Sequence, residues 1–167
     1  GHLEAEAYQF EIVDNPNPSG INTSAKVGKF VKASDGLSFA GMYADLDAPI
    51  HFKTNKTMRA KVHMDHIGNL GLKVEASQTG APNIELSEPN TLVNEWEEIT
   101  INFATADDDG QYQRLTFFID FLIDPTGSDV TSYFDDIVIG DGQCGVVNTF
   151  EAPQVQYFRI APNPAAT

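Results

Sequence analysis

Apolar and polar side chains alternate through much of the chain, and sustained helical periodicity is scarce. Met58, Ala60, Val62 and Met64 are interleaved with Arg59, Lys61, His63 and Asp65, and Leu72, Val74 and Ala76 with Lys73, Glu75 and Ser77. Successive side chains of a strand point to opposite faces, so each stretch predicts a half-buried strand with one wet face. The Gly and Asn of "HIGNLG" between them predict a hairpin turn, which makes the two strands neighbours in one sheet. Downstream, "EEITINFA" turns Ile99, Ile101 and Phe103 inward. After the acidic turn "TADDDGQ", "RLTFFIDFLI" places Leu115, Phe117, Ile119 and Phe121 on one face and Phe118 on the other. "SYFDDIVIG" is the last strand. Upstream, "YQFEIVD", "KVGKFVKA" and "SFAGMYAD" are three more, with "DNPNPSG" a Pro-rich loop. About eight to ten short strands with turns at this spacing predict an all-β antiparallel β-sandwich of jelly-roll type.

Length, 167 residues, suits one domain with tails. The expected organisation is a tag or leader remnant over 1–7, the sandwich over 8–140, a Gly-rich polar linker over 141–158 and a separate segment over 159–167. Ten Lys and Arg stand against 24 Asp and Glu, a formal charge of −14. Such a field repels nucleic acid and anionic membranes, and no apolar run approaches a membrane span. A monomer without nucleic-acid partners is expected. Cys144 has no partner for an internal disulfide.

Asp135 and Asp136 stand side by side in the last strand. By alternation one turns inward, and a buried unpaired carboxylate costs several kcal/mol, so it needs N–H donors, a basic residue or a metal. If the first and last strands are neighbours, as is common in a jelly roll, Glu11 and Asp135 meet. Two such carboxylates repel unless a cation such as Ca²⁺ lies between them. The alternative is that Asp135 caps a turn and Glu11 faces water.

"FE" in the first strand, the Gly-Ile-Asn-Thr-Ser stretch, "WEEITINF" and the closing "YFDDI" together resemble the jelly-roll carbohydrate-binding modules appended to bacterial polysaccharide-degrading enzymes. The resemblance implies a structural calcium held by Glu11, Asp135 and the Gln9 carbonyl, with further carbonyls from Asn22 to Lys26 and Asp14 as an outlying candidate. Asp135 would turn onto the ion and Asp136 to the other side. It also implies a catalytic domain elsewhere in the same parent chain.

Eight of the ten basic residues lie between Lys26 and Lys73. Arg59, Lys61 and His63 with Lys73 are expected to cluster on one sheet face. That face would suit a polysaccharide carrying carboxylates or sulfates, or be an ordinary solvated face with its charges paired. Sugar rings pack on aromatic faces, and Phe118, by alternation outward, and Tyr43, in "GMYADLD", are the platform candidates, with Trp96 assigned to the core or a sheet edge. "HMDH" is the one dense group with catalytic potential, but His63 and His66 fall on opposite sides of a strand and no nucleophile or acid pair accompanies them, so no enzyme is expected.

The tail "IAPNPAAT" resembles the opening of the C-terminal sorting domain of Bacteroidetes type IX secretion, which implies a secreted or cell-surface protein. The expected function is that of a non-catalytic module that targets a polysaccharide-degrading enzyme to its polysaccharide, an anionic marine one among the candidates. A structural or adhesive spacer that binds no glycan is the alternative.

Overall fold

The computed structural model describes residues 8–50, 52, 55–76, 80–108, 111–124, 126–140 and 161–162. Ten strands form two five-stranded sheets in which every pair is antiparallel, and the described residues contain no helix. They are β1 (Tyr8–Asp14), β2 (Lys26–Lys32), β3 (Met42–Ile50), β4 (Thr57–Met64), β5 (Asn69–Ala76), β6 (Ala81–Pro89), β7 (Trp96–Asn102), β8 (Tyr112–Ile119), β9 (Val130–Ile139) and β10 (Ala161–Pro162). The first sheet runs β1-β2-β9-β4-β7 and the second β10-β3-β8-β5-β6. The expected jelly-roll β-sandwich is the fold observed. Its core lies between the sheets, where Phe30, Met58, Val62 and Phe134 of the first meet Leu72, Val74, Leu115 and Phe117 of the second. Phe117 and Phe134 lie 4.5 Å apart across the gap.

The expected hairpin between β4 and β5 does not form. β4 pairs with β7 and β9, and β5 with β6 and β8, so the chain passes from one sheet to the other over Asp65–Gly68. Asn90 holds this arch. Its Oδ1 accepts from Gly68 N at 2.6 Å, and its Nδ2 donates to the carbonyls of His66 and Leu92 at 2.7 and 2.8 Å. Asn94 N, in the same β6–β7 connection, donates to Met64 O at 2.7 Å. The Gly and Asn that suggested a tight turn instead serve a wider one whose backbone groups need partners from outside it.

Two further expectations fall to the topology. The first and last long strands are not neighbours, because β2 lies between β1 and β9. Phe121 does not continue the inward face of β8: the strand ends at Ile119, and Asp120 (φ 53°) and Leu122 (φ 60°) turn the backbone through the left-handed region. β6 carries no clear alternation, since Ile84 is its single buried side chain. It is an edge strand, where Pro82 and Pro89 are tolerated because one side of the strand makes no ladder bonds. β10 adds two residues to the free edge of β3, pairing Ala161 with Tyr43. The remainder of the expected tag, linker and sorting segment, Cys144 included, lies outside the described residues.

Asn90 is 2% exposed and holds three groups of the arch. Asn90→Ala should therefore cost about 2–3 kcal/mol, read as a lowered urea midpoint with unchanged slope, because it strands buried donors and acceptors.

Candidate functional site

The two outer faces of the sandwich are built differently. On the first sheet the register lines up Glu11, Lys29, Tyr133, His63 and Trp96 across five strands. His63 packs edge-on against Trp96 at 5.4 Å and Tyr133 at 6.0 Å. The β1–β2 loop lies over this row: Trp96 Nε1 donates to Asn17 O at 2.8 Å, and Asn17 Nδ2 stands 3.4 Å from His63 Nε2. Trp96 is thus buried, under a loop rather than between the sheets. Asn15 fixes the loop's return, its Nδ2 donating to Ser24 O at 2.9 Å and its backbone N to Ala25 O at 3.0 Å.

The basic residues expected here are paired with acids. Lys61 Nζ meets Asp136 Oδ2 at 2.5 Å, Lys29 meets Glu11 at 2.6 Å, and the Arg59 guanidinium reaches Glu98 at 4.0 Å. Lys73 is not with them. It lies on β5, in the other sheet and on the opposite outer face.

Asp136 and Ile137 occupy a β-bulge opposite Ala60, directly after Asp135. Register with β4 shifts between Arg59 and Lys61, and Asp136 adopts φ 46°. A bulge sets two residues of one strand against one of its partner, which suspends the alternation on which opposite orientations depended. Asp135 pairs with Lys61 in register while Asp136 meets the Lys61 amine, so both carboxylates belong to the outer face. Asp135 is nonetheless only 1% exposed. Its Oδ1 accepts from Asp136 N at 2.9 Å, and Oδ2 has no hydrogen-bond partner.

The expected calcium ligands do not converge as a set. Glu11 is half exposed and held by Lys29, Gln9 pairs with Val31 across the β1–β2 ladder, and β2 separates both from Asp135. Asp14 faces solvent beside Lys26. Ser24 and Ala25 already direct their carbonyls to Asn15. Among the described residues no group of three or more His, Cys, Asp or Glu side chains is arranged to hold a metal ion. The feature that fits a cation is the free, buried Oδ2 of Asp135, with backbone or water oxygens to complete any shell.

The outer face of the second sheet is polar, exposed at Glu85, half-buried at Tyr43, Asp45, Glu75 and Arg114, and buried at Thr116 and Lys73. One row sets Tyr43, Thr116, Lys73 and Glu85 side by side on β3, β8, β5 and β6, and the next sets Asp45, Arg114 and Glu75. Arg114 is the hub. Its Nε donates to Asp45 at 2.6 Å and lies 3.8 Å from Glu75, and its guanidinium carbon sits 4.0 Å over the Tyr43 ring. The hydrogen bond to Asp45 raises the Arg114 pKa further, against the opposing effect of burial. Lys73 meets Glu75 at 2.8 Å. Asp45, Glu75 and Arg114 edge a cleft of about 720 Å³ that Leu46, Pro49 and Asn83 also line, with Tyr43 and Lys73 in the neighbouring row. Fixed donors and acceptors beside an aromatic ring can meet sugar hydroxyls and a pyranose face together.

Arg114 and its partners were missed in the sequence because the face they share depends on which strands pair. The alternation of Lys73, Glu75 and Arg114 with core residues was the available signal. Tyr43 does reach this face. Phe118 points outward as expected but is fully buried, its ring 4.5 Å from Phe121, which folds back over the sheet against Gly71. Gly41 and Gly71 supply the space: a Cβ on Gly41 would lie 2.4 Å from the Phe118 ring, and one on Gly71 2.7 Å from Phe121.

No protein-family profile and no curated protein matches the chain. Among solved structures it is similar to one that addresses the promiscuous specificity of carbohydrate-binding modules of the β-sandwich superfamily (TM-score 0.51, 15% identity, 78% of this chain and 53% of that one). It is also similar to an exo-β-agarase (0.61, 15%, 85% and 23%). A third is a family 11 carbohydrate-binding module from Clostridium thermocellum in complex with a β-1,3-1,4-mixed-linked tetrasaccharide (0.52, 11%, 78% and 80%). The chain spans about half the length of the first and under a quarter of the agarase. At this identity the likeness is one of fold, the β-sandwich.

Phe118 therefore supports the face from below. Phe118→Ala should destabilise the fold by about 3–5 kcal/mol in urea or thermal unfolding, as for other large aromatic truncations in a packed site.

Proposed function

We propose that this domain is a non-catalytic carbohydrate-binding module that holds a secreted polysaccharide-active protein on its polysaccharide, through the outer face of β3, β8, β5 and β6. The observation that carries this is the cleft edged by Arg114, Asp45 and Glu75, with Tyr43 beneath the Arg114 guanidinium and Lys73 paired to Glu75 in the next row. Preorganised polar groups cost little to order when a ligand arrives. The β-sandwich carbohydrate-binding modules that share the fold support the same reading. A role outside the cell is part of it and rests on the resemblance of the tail, and a catalytic domain in the same parent chain rests on the resemblance of the sandwich to modules appended to polysaccharide-degrading enzymes.

Three carboxylates, Asp45, Glu75 and Glu85, meet two cations, Arg114 and Lys73, on this face. That balance suits a neutral glycan. A second reading, an anionic polysaccharide on the Arg59, Lys61 and His63 face, is favoured by one observation: the Arg59 Nε is buried without a hydrogen-bond partner. Gel retardation by a panel of neutral and anionic polysaccharides separates them. For the cleft, Tyr43→Ala and Arg114→Ala should each weaken retardation about tenfold or more, Arg59→Ala should be silent, and salt should matter little, because a neutral glycan makes no charge pair for salt to screen. Salt-sensitive binding lost in Arg59→Ala would move the site to the first sheet. Retardation by no polysaccharide would leave a structural spacer.

Calcium belongs to the same proposal at Asp135, where a bound cation would neutralise the free carboxylate oxygen and stiffen the bulge. A ion bound only by the folded state raises its melting temperature by mass action. Chelator should lower the melting temperature and calcium restore it. Asp135→Asn should abolish that response while Glu11→Gln leaves it intact. A melt indifferent to verified metal removal would end the assignment.

A further inference from the structure

At the end of the sandwich where β4 gives way to β5 and β8 to β9, a cavity of about 390 Å³ opens beside His66, Asp120 and Lys32. His66 has a carboxylate at each ring nitrogen. Nδ1 is 2.6 Å from Asp65 Oδ1, and Nε2 is 2.8 and 2.9 Å from the two oxygens of Asp120. A neutral imidazole has one N–H and one lone pair, so in this place it would set the lone pair against an anion. The imidazolium donates to both. Asp120 has few other ways to satisfy its charge, since its side chain is 4% exposed and Lys32 directs its amine to the carbonyls of Asp120 and Ile123 instead, at 2.8 and 2.9 Å.

Asp120 is also the residue at which the chain reverses. Its backbone lies in the left-handed region, and a Cβ on Gly68 of the arch would lie 2.0 Å from its Oδ1, so the arch and the turn approach closely there. Phe121 follows at once. Its N–H donates to Asn69 O at 3.2 Å, its carbonyl accepts from Asn69 Nδ2 at 3.1 Å, and its ring covers Phe118 under the outer face of the second sheet.

We propose that His66 is a positioning residue whose imidazolium clamps the Asp120 turn to the arch and so keeps Phe121 seated on Phe118. Loss of its proton then loosens the β8–β9 turn and the packing beneath the ligand face. The clamp stands without the glycan assignment; only its effect on binding rests on that reading.

The titration has the sign the geometry requires. Burial alone would lower the His66 pKa, but the hydrogen bonds and charges of Asp65 and Asp120 outweigh it and raise it above the ordinary 6.5. A proton held more tightly by the folded state contributes stability that is complete below the unfolded value and is lost as pH rises through the folded one. Asp65 faces the ring from its own turn, Asp120 from the β8–β9 turn and Lys32 from β2, with Asp124 and Asp129 across the cavity. Lys32 titrates there too, lowered by burial against the pull of Asp120 and Asp124, so the readout must be specific to the imidazole.

Nitrogen-15 NMR of the imidazoles supplies that readout, with amide-exchange protection at Phe121 and Ile123 followed over the same pH range. The expected result is a His66 ring protonated at both nitrogens at neutral pH, and protection that falls as the ring titrates. Asp65→Asn keeps the Asp120 contact and should move both curves together to lower pH. In His66→Gln protection should be reduced and no longer follow the imidazole range. A neutral His66 ring at pH 7, or protection that ignores its titration, would overturn the clamp. Polysaccharide retardation across the same pH range should follow the His66 curve in the parent and not in His66→Gln; retardation unchanged through the titration would remove the link to the ligand face. No retardation at any pH would count against the cleft alone, with the NMR result still deciding the clamp.

Discussion

The passage of the chain from one sheet to the other between Met64 and Asn69 is the constraint on which the arrangement of this domain depends. It sends Arg59, Lys61 and His63 to one outer face and Lys73 and Glu75 to the other. It leaves the polar backbone of the arch without ladder partners, and Asn90, from the β6–β7 connection, supplies them. The same arch carries His66 to Asp120 and brings Gly68 against it. Three connections are thereby fastened at one end of the sandwich, and the register of β5 against β8 is fixed from that end.

Charge is handled locally in a chain whose formal net charge is −14. Lys29, Lys61 and Lys73 each stand within 3 Å of a carboxylate, and Arg114 has Asp45 at that range with Glu75 close by. The Lys29–Glu11 pair is the exposed one and contributes little stability, while Lys61–Asp136 and Lys73–Glu75 are mostly buried. Their consequence is geometric. Arg114 stands over the Tyr43 ring tied to Asp45, so the second sheet presents a set pattern of donors and acceptors around a cleft, while the outer face of the first sheet packs Tyr133, His63 and Trp96 under the β1–β2 loop.

The two adjacent aspartates of β9 follow from backbone conformation. A bulge gives the strand one more residue than β4 opposes there, Asp136 takes the left-handed conformation, and Lys61 receives its carboxylate. Asp135 is left almost fully buried with one oxygen free. A buried polar atom left without a partner costs about 1–3 kcal/mol.

The sequence by itself determined the strands and the class of fold. Period-two alternation records burial directly, so β4, β5, β7, β8 and β9 were readable, and the apolar sets Met58–Ala60–Val62–Met64 and Leu115–Phe117–Ile119 are those in the core. β6 escaped because an edge strand with one buried side chain leaves almost no periodic trace. Alternation says which side of a strand is wet, but not which strand lies next to it. Only the tertiary structure decided that β4 and β5 part company, that β2 stands between Glu11 and Asp135, and that Tyr43, Arg114, Asp45 and Glu75 share a face. Phe118 states the difference most plainly: its parity was right, yet its burial depends on Phe121, whose direction is set by the left-handed turn at Asp120 and the glycines that admit the rings. Pairing between strands distant in sequence is fixed by the joint packing of two whole sheets, a quantity that no local pattern of hydrophobic and polar residues contains.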